Sequence, residues 1–286
     1  MTAPRLYKTE AIVLRQRKLG EADRILTLFT PAYGKLDAKA KGVRKTTSRM
    51  AGHLQPLNRC MVQLARGHTM EVIAGCETLE SFQPLRDDLD RLSRALYAAE
   101  LADRFLPERV ENLPTYRLLL DILHRLQSAA SASGGDADPS AGRAYRQAGS
   151  GRAPSTSSGL DLALRHYEME LLERSGFLPE LERCLGCQQP LRAVQNFFSP
   201  VAGGTYCASC GAGAVGSRAL SVNGLKVLRL LQRASYKEVG GLNLPPALAQ
   251  EVERHLRSYI VCVLERDVNA AAFVERLRRE QQPLRV

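Results

Sequence analysis

The chain has 286 residues, of which 44% are hydrophobic and 24% are charged, a composition typical of a globular protein with room for two modest domains. It contains no apolar run of the roughly 18 residues that a bilayer span requires. Its N-terminal stretch, MTAPRLYKTE, lacks the apolar segment of a signal peptide. We therefore expect a cytoplasmic protein with no membrane partner.

The net charge of +10 is unevenly distributed along the chain. Residues 1–83 hold 14 Lys and Arg against 7 Asp and Glu, whereas residues 84–286 hold 26 against 23. A basic first region beside a nearly neutral remainder indicates that the first region binds a polyanion. A phospholipid surface fits less well, because the basic residues follow a strand pattern and not an amphipathic helix with bulky apolar anchors.

The N-terminal part of the chain contains five short segments with the pattern of β-strands, separated by turns rich in Gly and Pro. The segments are Ala11–Leu14, Arg24–Thr30, a third that begins at Lys35, Asn58–Ala65 and Met70–Cys76. Five strands in about 75 residues predict a small closed barrel of the oligonucleotide/oligosaccharide-binding (OB) type. An SH3-like barrel has a similar strand count, so the count alone leaves both open.

The segment KLDAKAKGVRKTTSR, residues 35–49, is the most informative stretch of this region. Its first half alternates charged residues with Leu, Ala and Gly, which is the period of a half-buried strand. A lysine-rich wet face suits an anionic polymer, although lysines also serve to keep a strand edge soluble. The candidate DNA-contacting residues on this strand and around it are Arg15, Arg17, Lys35, Lys39, Lys41, Arg44, Lys45 and Arg49.

The hydrophobic period changes from two to 3.6 after residue 84, which indicates helices. Apolar stripes at this spacing begin at Leu89, Leu118 and Leu160, and two further helices are predicted near Ser221 and Pro245. We therefore divide the chain into a barrel domain, 1–83, and a helical domain, 84–286. Residues 128–159 are rich in Ser, Gly and Ala, which predicts a disordered insertion without a core.

Four of the seven cysteines form the pattern C-x2-C-x19-C-x2-C within residues 181–216. Each C-x2-C turn directs two thiolates to one point, so two such turns close a tetrahedral shell of four sulfur ligands. The sequence thus predicts one structural Zn²⁺ per chain, bound by Cys184, Cys187, Cys207 and Cys210. A pair of disulfides or a redox motif is the alternative, and a cytoplasmic compartment disfavours the disulfides.

Nothing in the sequence indicates catalysis. It contains no Walker A, GxSxG or HExxH motif, and its five histidines are scattered. A shell of four thiolates leaves no open position on a metal, so we expect a protein that is not an enzyme.

The stretch KTEAIVLRQRKLGEADRILTLFTPAYGKLDAKAKGVRKTTSRMAGHLQP, residues 8–56, closely resembles the start of the bacterial recombination mediator family RecO. The resemblance continues through Ala98–Leu101 and Gly176–Pro179 into the cysteine segment, and covers nearly the whole chain except 128–159. The most specific matching pieces are Gly20-Glu21, Asp23-Arg24-Ile25, Leu28-Phe29-Thr30, Gly34-Lys35, Ala40-Lys41-Gly42 and Leu54-Gln55-Pro56.

This resemblance implies an α+β multidomain protein, in which an N-terminal five-stranded OB-fold barrel precedes an α-helical domain with an embedded four-cysteine zinc module. It also implies binding of single- and double-stranded DNA, annealing of complementary strands and, with RecR, help in loading RecA on DNA coated by single-strand-binding protein (SSB). The C-terminal tail of SSB is a further implied partner, and the protein would be associated with the bacterial nucleoid.

The SSB tail ends in an apolar residue with a free carboxylate, so its site should combine a basic residue with an apolar groove on the helical domain. Arg229, Arg233 and Arg254 are candidates for the basic residue. Because the barrel segment holds few aromatic residues, we expect phosphate contacts to outweigh base stacking.

Two other classes remain as alternatives. One is a zinc-ribbon RNA-binding or transcription factor with a small barrel domain. The other is a nuclease or other metalloenzyme, which the closed four-thiolate shell disfavours.

Overall fold

The computed structural model of the chain describes residues 5–128 and 156–264. Most of the predicted insertion at 128–159 lies outside these residues; its first residue ends one helix, and residues 156–159 begin the next. Among the described residues, no helix is both long and apolar enough to cross a lipid bilayer.

The N-terminal region forms a closed five-stranded barrel. The strands are β1 (Leu6–Leu19), β2 (Asp23–Thr30), β3 (Gly34–Ala40), β4 (Arg59–Ala65) and β5 (Glu71–Glu80). Their order in the barrel is β1-β2-β3-β5-β4, and neighbouring strands are antiparallel except β3 and β5, which pair in parallel at Ala38–Glu71 and Lys39–Val72. This Greek-key closure of five strands confirms the predicted OB fold.

Strand β1 has 14 residues, far more than the predicted apolar run Ala11–Leu14. Its first half pairs with β4, from Leu6 opposite Ala65, and its second half pairs with β2, as far as Leu19 opposite Asp23. The polar flanks become strand because two neighbours supply their backbone hydrogen bonds, which outweighs the local composition.

Strand β2 is buried on both of its faces, which explains its nearly continuous apolar sequence. Leu26 and Leu28 point into the barrel core. Phe29 belongs to a second core, shared with the helical domain, where its ring meets Tyr116 edge to face with centroids 5.5 Å apart. The helical domain therefore covers part of the outer face of the barrel.

The rest of the chain is mainly helical, with a three-stranded sheet in the cysteine segment. That sheet has the order β7-β6-β8 and was not predicted from the sequence. Its strands are β6 (Asn196–Ser199), β7 (Gly204–Tyr206) and β8 (Arg218–Leu220). The helices are α1 (Gln83–Arg86), α2 (Leu89–Phe105), α3 (Leu113–Ser128), α4 (Thr156–Arg174), α5 (Ala208–Gly211), α6 (Val222–Arg233), α7 (Tyr236–Val239) and α8 (Pro246–Leu264).

Helix α4 is the central element of the helical domain. It packs against α2, α3, α6, α7 and α8. The sequence predicts one apolar stripe here, but Leu162, Ala163 and Met169 outside that stripe are also buried. A helix surrounded by others is apolar on several sides, so a single stripe underestimates its burial.

Polar side chains define where several helices begin. The Asp88 carboxylate accepts hydrogen bonds from the backbone N–H groups of Asp90 and Arg91 at the start of α2. The Ser221 hydroxyl accepts one from Gly224 N at 2.9 Å at the start of α6. These caps satisfy N–H groups that have no partner within the first helical turn.

Candidate nucleic-acid interface and metal centre

The outer face of β3 has the alternation that the sequence predicts. Leu36 and Ala38 are buried, while Lys35, Asp37 and Lys39 lie on the opposite face. Asp37 is not free on this face, because its carboxylate accepts hydrogen bonds from Arg17 Nη2 and Thr27 Oγ1, each at 2.6 Å. The charge of this carboxylate is therefore largely balanced by Arg17.

Asp23 organises the end of β3 and the start of the loop that follows. Its carboxylate accepts a hydrogen bond from the backbone N–H of Gly42 at 2.8 Å and pairs with Lys39 Nζ at 2.9 Å. These two contacts, the backbone bond first, lower the pKa of Asp23 below its ordinary value. The carboxylate thus stays ionised and fixes the direction in which the loop leaves the strand.

The loop after β3, residues 41–49, is here called the basic loop. Its four cationic side chains are all exposed: Lys41, Arg44, Lys45 and Arg49. None of the four makes an ion pair with residues 5–128 or 156–264. Arg44 joins this loop to the β1–β2 turn, since its backbone N donates to Ala22 O and its Nη1 to Gly20 O, both at 2.9 Å. The basic loop and this turn therefore form one surface.

Two of the predicted DNA contacts lie instead at the boundary with the helical domain. Asp103 of α2 pairs with Arg15 Nε at 2.8 Å and with Lys35 Nζ at 3.3 Å. The Lys35 side chain is only 13% exposed, and its Nζ also donates to the backbone oxygen of Asp103. Lys35 is therefore an interdomain contact and not a free surface cation, because a helix far from it in the chain covers it. Arg15 keeps 57% of its side chain exposed.

The four aromatic residues that the sequence places in or beside the barrel differ in how deeply they are buried. Phe29 and Phe82 are buried. Tyr7 and Tyr33 lie together near the surface, with ring centroids 4.7 Å apart. Only this second pair is placed to meet a ligand.

The four predicted metal ligands come together. The sulfur atoms of Cys184, Cys187, Cys207 and Cys210 all lie within 4.8 Å of one another. Cys184 is buried, Cys187 is exposed and the other two are intermediate. The arrangement could hold a metal ion, and it is the single cluster of this kind among the described parts of the chain.

Backbone hydrogen bonds position these cysteines. Leu185 N donates to Thr205 O at 3.0 Å, which ties the first C-x2-C turn to the β6–β7 hairpin. The Cys207 and Gly186 N–H groups donate to Cys184 Sγ at 3.2 and 3.4 Å. Although burial opposes ionisation, the backbone donors outweigh it and lower the pKa of the Cys184 thiol to about 6. The site therefore favours the thiolate that a metal requires.

Sequence reasoning did not find a groove of about 440 Å³ between α3, α4 and α7. Its lining combines three arginines, Arg117, Arg125 and Arg174, with apolar residues that include Leu118 and Ile122. The spacing of Arg117 and Arg125 around Asp121 puts three charges on one face of a helix, a signal that the sequence did contain.

The arginines proposed from the sequence for an anionic tail lie elsewhere. Arg229 and Arg233 both pair with Glu182, at 3.3 and 2.7 Å. Arg254 is exposed on α8. None of the three lines the groove.

Comparison with known proteins identifies similar sequences over nearly the full length. The family description "Recombination protein O N terminal" matches residues 1–82, and "Recombination protein O C terminal" matches residues 86–135 and 155–271. A curated protein of Dehalococcoides mccartyi named "DNA repair protein RecO" is 37% identical over 278 residues, 97% of this chain and 98% of its own.

Two other curated proteins with the same name are similar to this chain. That of Roseiflexus sp. is 35% identical over 275 residues, covering 96% of this chain and 87% of its own. That of Pelotomaculum thermopropionicum is 35% identical over 272 residues, covering 95% and 94%.

Proposed function

This chain belongs to the recombination protein O (RecO) family, a family of DNA repair proteins, and from that premise we propose that it is a mediator of homologous recombination without catalytic turnover. In this proposal it binds single- and double-stranded DNA and anneals complementary strands. With RecR, it assists RecA loading on SSB-coated DNA. It acts in the cytoplasm of a bacterium, at the nucleoid.

The DNA-binding part of this proposal rests on the basic loop. Its four cations are exposed and have no carboxylate partner in the described structure, so a DNA phosphate does not have to displace an internal ion pair to reach them. Such contacts release counterions from DNA and give binding that depends on salt but tolerates any sequence. Arg15, Arg17 and Lys39 extend this surface along the barrel, each beside an acidic partner.

Annealing follows from the same chemistry. Two complementary strands repel each other through their phosphates, and a surface that neutralises both lowers that repulsion. Nothing in this step requires a bond to be broken, so the proposed activity needs no general base or activated water.

A structural Zn²⁺ is the proposed occupant of the four-cysteine site. Zinc–sulfur bonds of about 2.3 Å in a tetrahedron place the sulfur atoms about 3.8 Å apart. Cys187 Sγ and Cys207 Sγ are 3.9 Å apart, which suits this geometry. When bound, the ion would join the two C-x2-C turns and stabilise the module without offering a catalytic position.

The groove between α3, α4 and α7 is the proposed site for the C-terminal tail of SSB. Arg125 lines the groove and would pair with the carboxylate of the tail; its guanidinium carbon lies 3.7 Å from the centroid of the Tyr236 ring. Leu118 and Ile122 offer apolar contacts for the last side chain of the tail. This combination matches the chemistry expected of such a site.

Charge reversal in the Lys39→Glu/Lys41→Glu variant tests the DNA-binding proposal. We expect weaker binding to single-stranded DNA, slower annealing, and a salt slope reduced by about 1.4, which is about 0.7 for each phosphate that is no longer neutralised. Lys226→Glu on α6 is the matched control, since Lys226 is exposed and lies on the helical domain. Wild-type affinity and slope in the double variant would remove this surface as the DNA site.

Metal analysis tests the zinc proposal. We expect about one zinc per chain, and a chelator should lower the melting temperature. Cys187→Ser should release the metal, whereas Cys262→Ser, outside the cluster, should retain it. A folded, reduced protein without metal would contradict the proposal.

A zinc-ribbon RNA-binding or transcription factor is the alternative function. Competition between single-stranded DNA, duplex DNA and structured RNA of equal phosphate count separates the two. A clear preference for RNA, together with no annealing of SSB-coated strands, would favour the alternative.

A further inference from the structure

A pair of tyrosines lies beside the start of β3, at the opposite end of this strand from the basic loop. Tyr7 is in β1, and Tyr33 is in the turn between β2 and β3. Their ring centroids are 4.7 Å apart at an interplanar angle of 51°. Tyr33 keeps 39% of its surface exposed, so the residue remains accessible to a ligand.

The turn that carries Tyr33 is held in place by its neighbours. Tyr33 N donates to Thr30 Oγ1 at 2.9 Å, and the same hydroxyl donates to Gly34 O at 3.1 Å. Gly34 has a φ of +65°, and a Cβ at this position would lie 2.0 Å from Val110 O. The backbone that carries the Tyr33 ring is therefore held in one conformation, which reduces the entropy lost when a ligand stacks on the ring.

The hydroxyl group of Tyr7 holds this second ring in place. Its hydroxyl donates to Glu71 Oε1 at 3.4 Å, and the Arg109 guanidinium donates two hydrogen bonds of 2.9 and 2.7 Å to the same carboxylate. Burial, and next the charge of Glu71, raises the pKa of Tyr7 to about 12, so this ring stays neutral. Arg109 in turn offsets the negative charge of Glu71 near the pair.

Cations lie close to the tyrosine pair. The Arg66 guanidinium carbon is 5.9 Å from the centroid of the Tyr7 ring. Two further exposed cations lie nearby: Arg5, whose backbone oxygen accepts a hydrogen bond from Arg66 N at 3.0 Å, and Lys8, which follows Tyr7 in the chain. The exposed carboxylate of Glu108 interacts with Arg109, whereas Arg66 has no ion-pair partner among the described residues.

A neutral ring fixed beside unpaired arginine is the combination by which single-stranded nucleic acid is bound without sequence preference. We propose that Tyr33, supported by Tyr7 with Arg66 beside the Tyr7 ring, is a stacking site for an unpaired base of single-stranded DNA. A duplex does not offer this site a free base. This inference rests on the proposed DNA-binding function and adds a contact specific to single strands.

One single strand of DNA is long enough to contact both the tyrosine pair and the basic loop. The β-strand between them, Gly34–Ala40, has 7 residues and is about 20 Å long at roughly 3.3 Å per residue. At about 3.4 Å per phosphate of a stacked strand, this length is roughly six nucleotides. A single barrel of this type covers about 4 to 16 nucleotides.

Two oligonucleotides with the same number of phosphates test the proposal in the full chain. One is a labelled 15-mer of thymidylate, and the other is a 15-mer of abasic residues, with binding measured by fluorescence anisotropy. We expect the wild type to bind the thymidylate strand about tenfold more tightly than the abasic strand, as for one stacked base. Tyr33→Leu should remove that ratio and leave the salt slope unchanged, while Tyr33→Phe should keep it.

Phe177→Leu is the matched control, because Phe177 is a 45% exposed aromatic residue on the helical domain. It should keep the wild-type ratio. A wild type with equal affinity for both strands would overturn the proposal, as would a Tyr33→Leu variant that keeps the wild-type ratio. An equal loss of affinity for both strands, together with a lower melting temperature, would also overturn it, because Tyr33 would then serve only to stabilise that end of the barrel.

The test separates this inference from the proposed function. Lys39→Glu/Lys41→Glu should weaken binding to both strands alike and reduce the salt slope. If Tyr33 variants behave as the wild type while the lysine variant loses affinity, the phosphate surface stands and the stacking site fails.

Discussion

The two ends of strand β3 carry lysines in the same alternating pattern, yet the structure gives them different surroundings. Lys35 at the start of the strand is 13% exposed and pairs with Asp103 of the helical domain. Lys41, just past its end, is exposed and has no ion-pair partner in residues 5–128 or 156–264. The number of basic residues on a strand therefore does not measure the positive charge that is available to DNA.

The helical domain is the cause of this difference. Besides Asp103, the segment after α2 lies along the start of β3, where Arg109 N donates to Lys35 O at 2.8 Å. No such element covers the basic loop within the described parts of the chain, and Arg44 joins that loop to the β1–β2 turn. The same strand thus holds the two domains together at one end and offers charge to a ligand at the other.

Reversing the charge at Lys35 should give the largest effect. Lys35→Glu places a second carboxylate beside Asp103 in a nearly buried position, and we expect the free energy of unfolding to fall by about 3 kcal/mol. Urea denaturation measures it. Lys41→Glu is the control and should change stability by less than about 0.5 kcal/mol. Equal effects of the two variants would show that the two ends do not differ.

Removing the charge without reversing it should separate the two lysines in DNA binding. Lys41→Met should weaken binding to single-stranded DNA about threefold and reduce the salt slope by about 0.7, because one phosphate is no longer neutralised. Lys35→Met should leave the slope unchanged. A salt titration of both variants checks this, and a reduced slope for Lys35→Met would show that Lys35 also neutralises a DNA phosphate.

Asp103→Asn should produce a smaller change of opposite sign. The substitution frees the exposed Arg15 from its carboxylate partner and adds one positive charge beside the barrel. We expect about a twofold gain in affinity for single-stranded DNA at low salt, with the gain vanishing as salt screens the charge. Glu173→Gln, at an exposed position of α4 in the helical domain, controls for the change of net charge. A loss of affinity in Asp103→Asn would mean that the interdomain contact is itself needed for binding.

The smallest effect is expected at the exposed Arg17–Asp37 pair in the middle of the face. Arg17 is 54% exposed, so solvent screens its ion pair with Asp37. Asp37→Asn should change the free energy of unfolding by no more than about 0.5 kcal/mol. Thermal or urea unfolding measures the change. A loss as large as that expected for Lys35→Glu would show that this exposed pair stabilises the fold as strongly as the covered Lys35–Asp103 pair.

Much of the fold follows from patterns within short stretches. The five barrel strands and the main helices lie where periods of two and 3.6 predict them, because a strand or helix with one buried face must repeat its apolar residues at that spacing. The ends of elements are harder to predict. Strand β1 extends over Lys8 and Arg17, since pairing with two neighbours outweighs its polar composition.

The candidate sites divide in the same way. The four cysteines are recognisable from the sequence, because each C-x2-C turn is local and only two turns must meet. The groove on the helical domain depends on where α3, α4 and α7 pack. Its residues Arg125, Arg174 and Tyr236 are far apart in the chain, so the sequence indicates charge on each helix but not that the helices enclose a cavity.

The sequence by itself determined the order of the five barrel strands and of the main helices, the four-cysteine cluster and the concentration of positive charge in the barrel domain. Only the tertiary structure decided which of those charges are free, because that depends on Asp103 and on the segment around Arg109, both far beyond β3 in the chain. It also brought Tyr7 beside Tyr33, and so set an aromatic surface at the covered end of a strand whose other end carries the free charge. A charge or a ring in the sequence is local, whereas its availability to a ligand is a property of everything that packs around it.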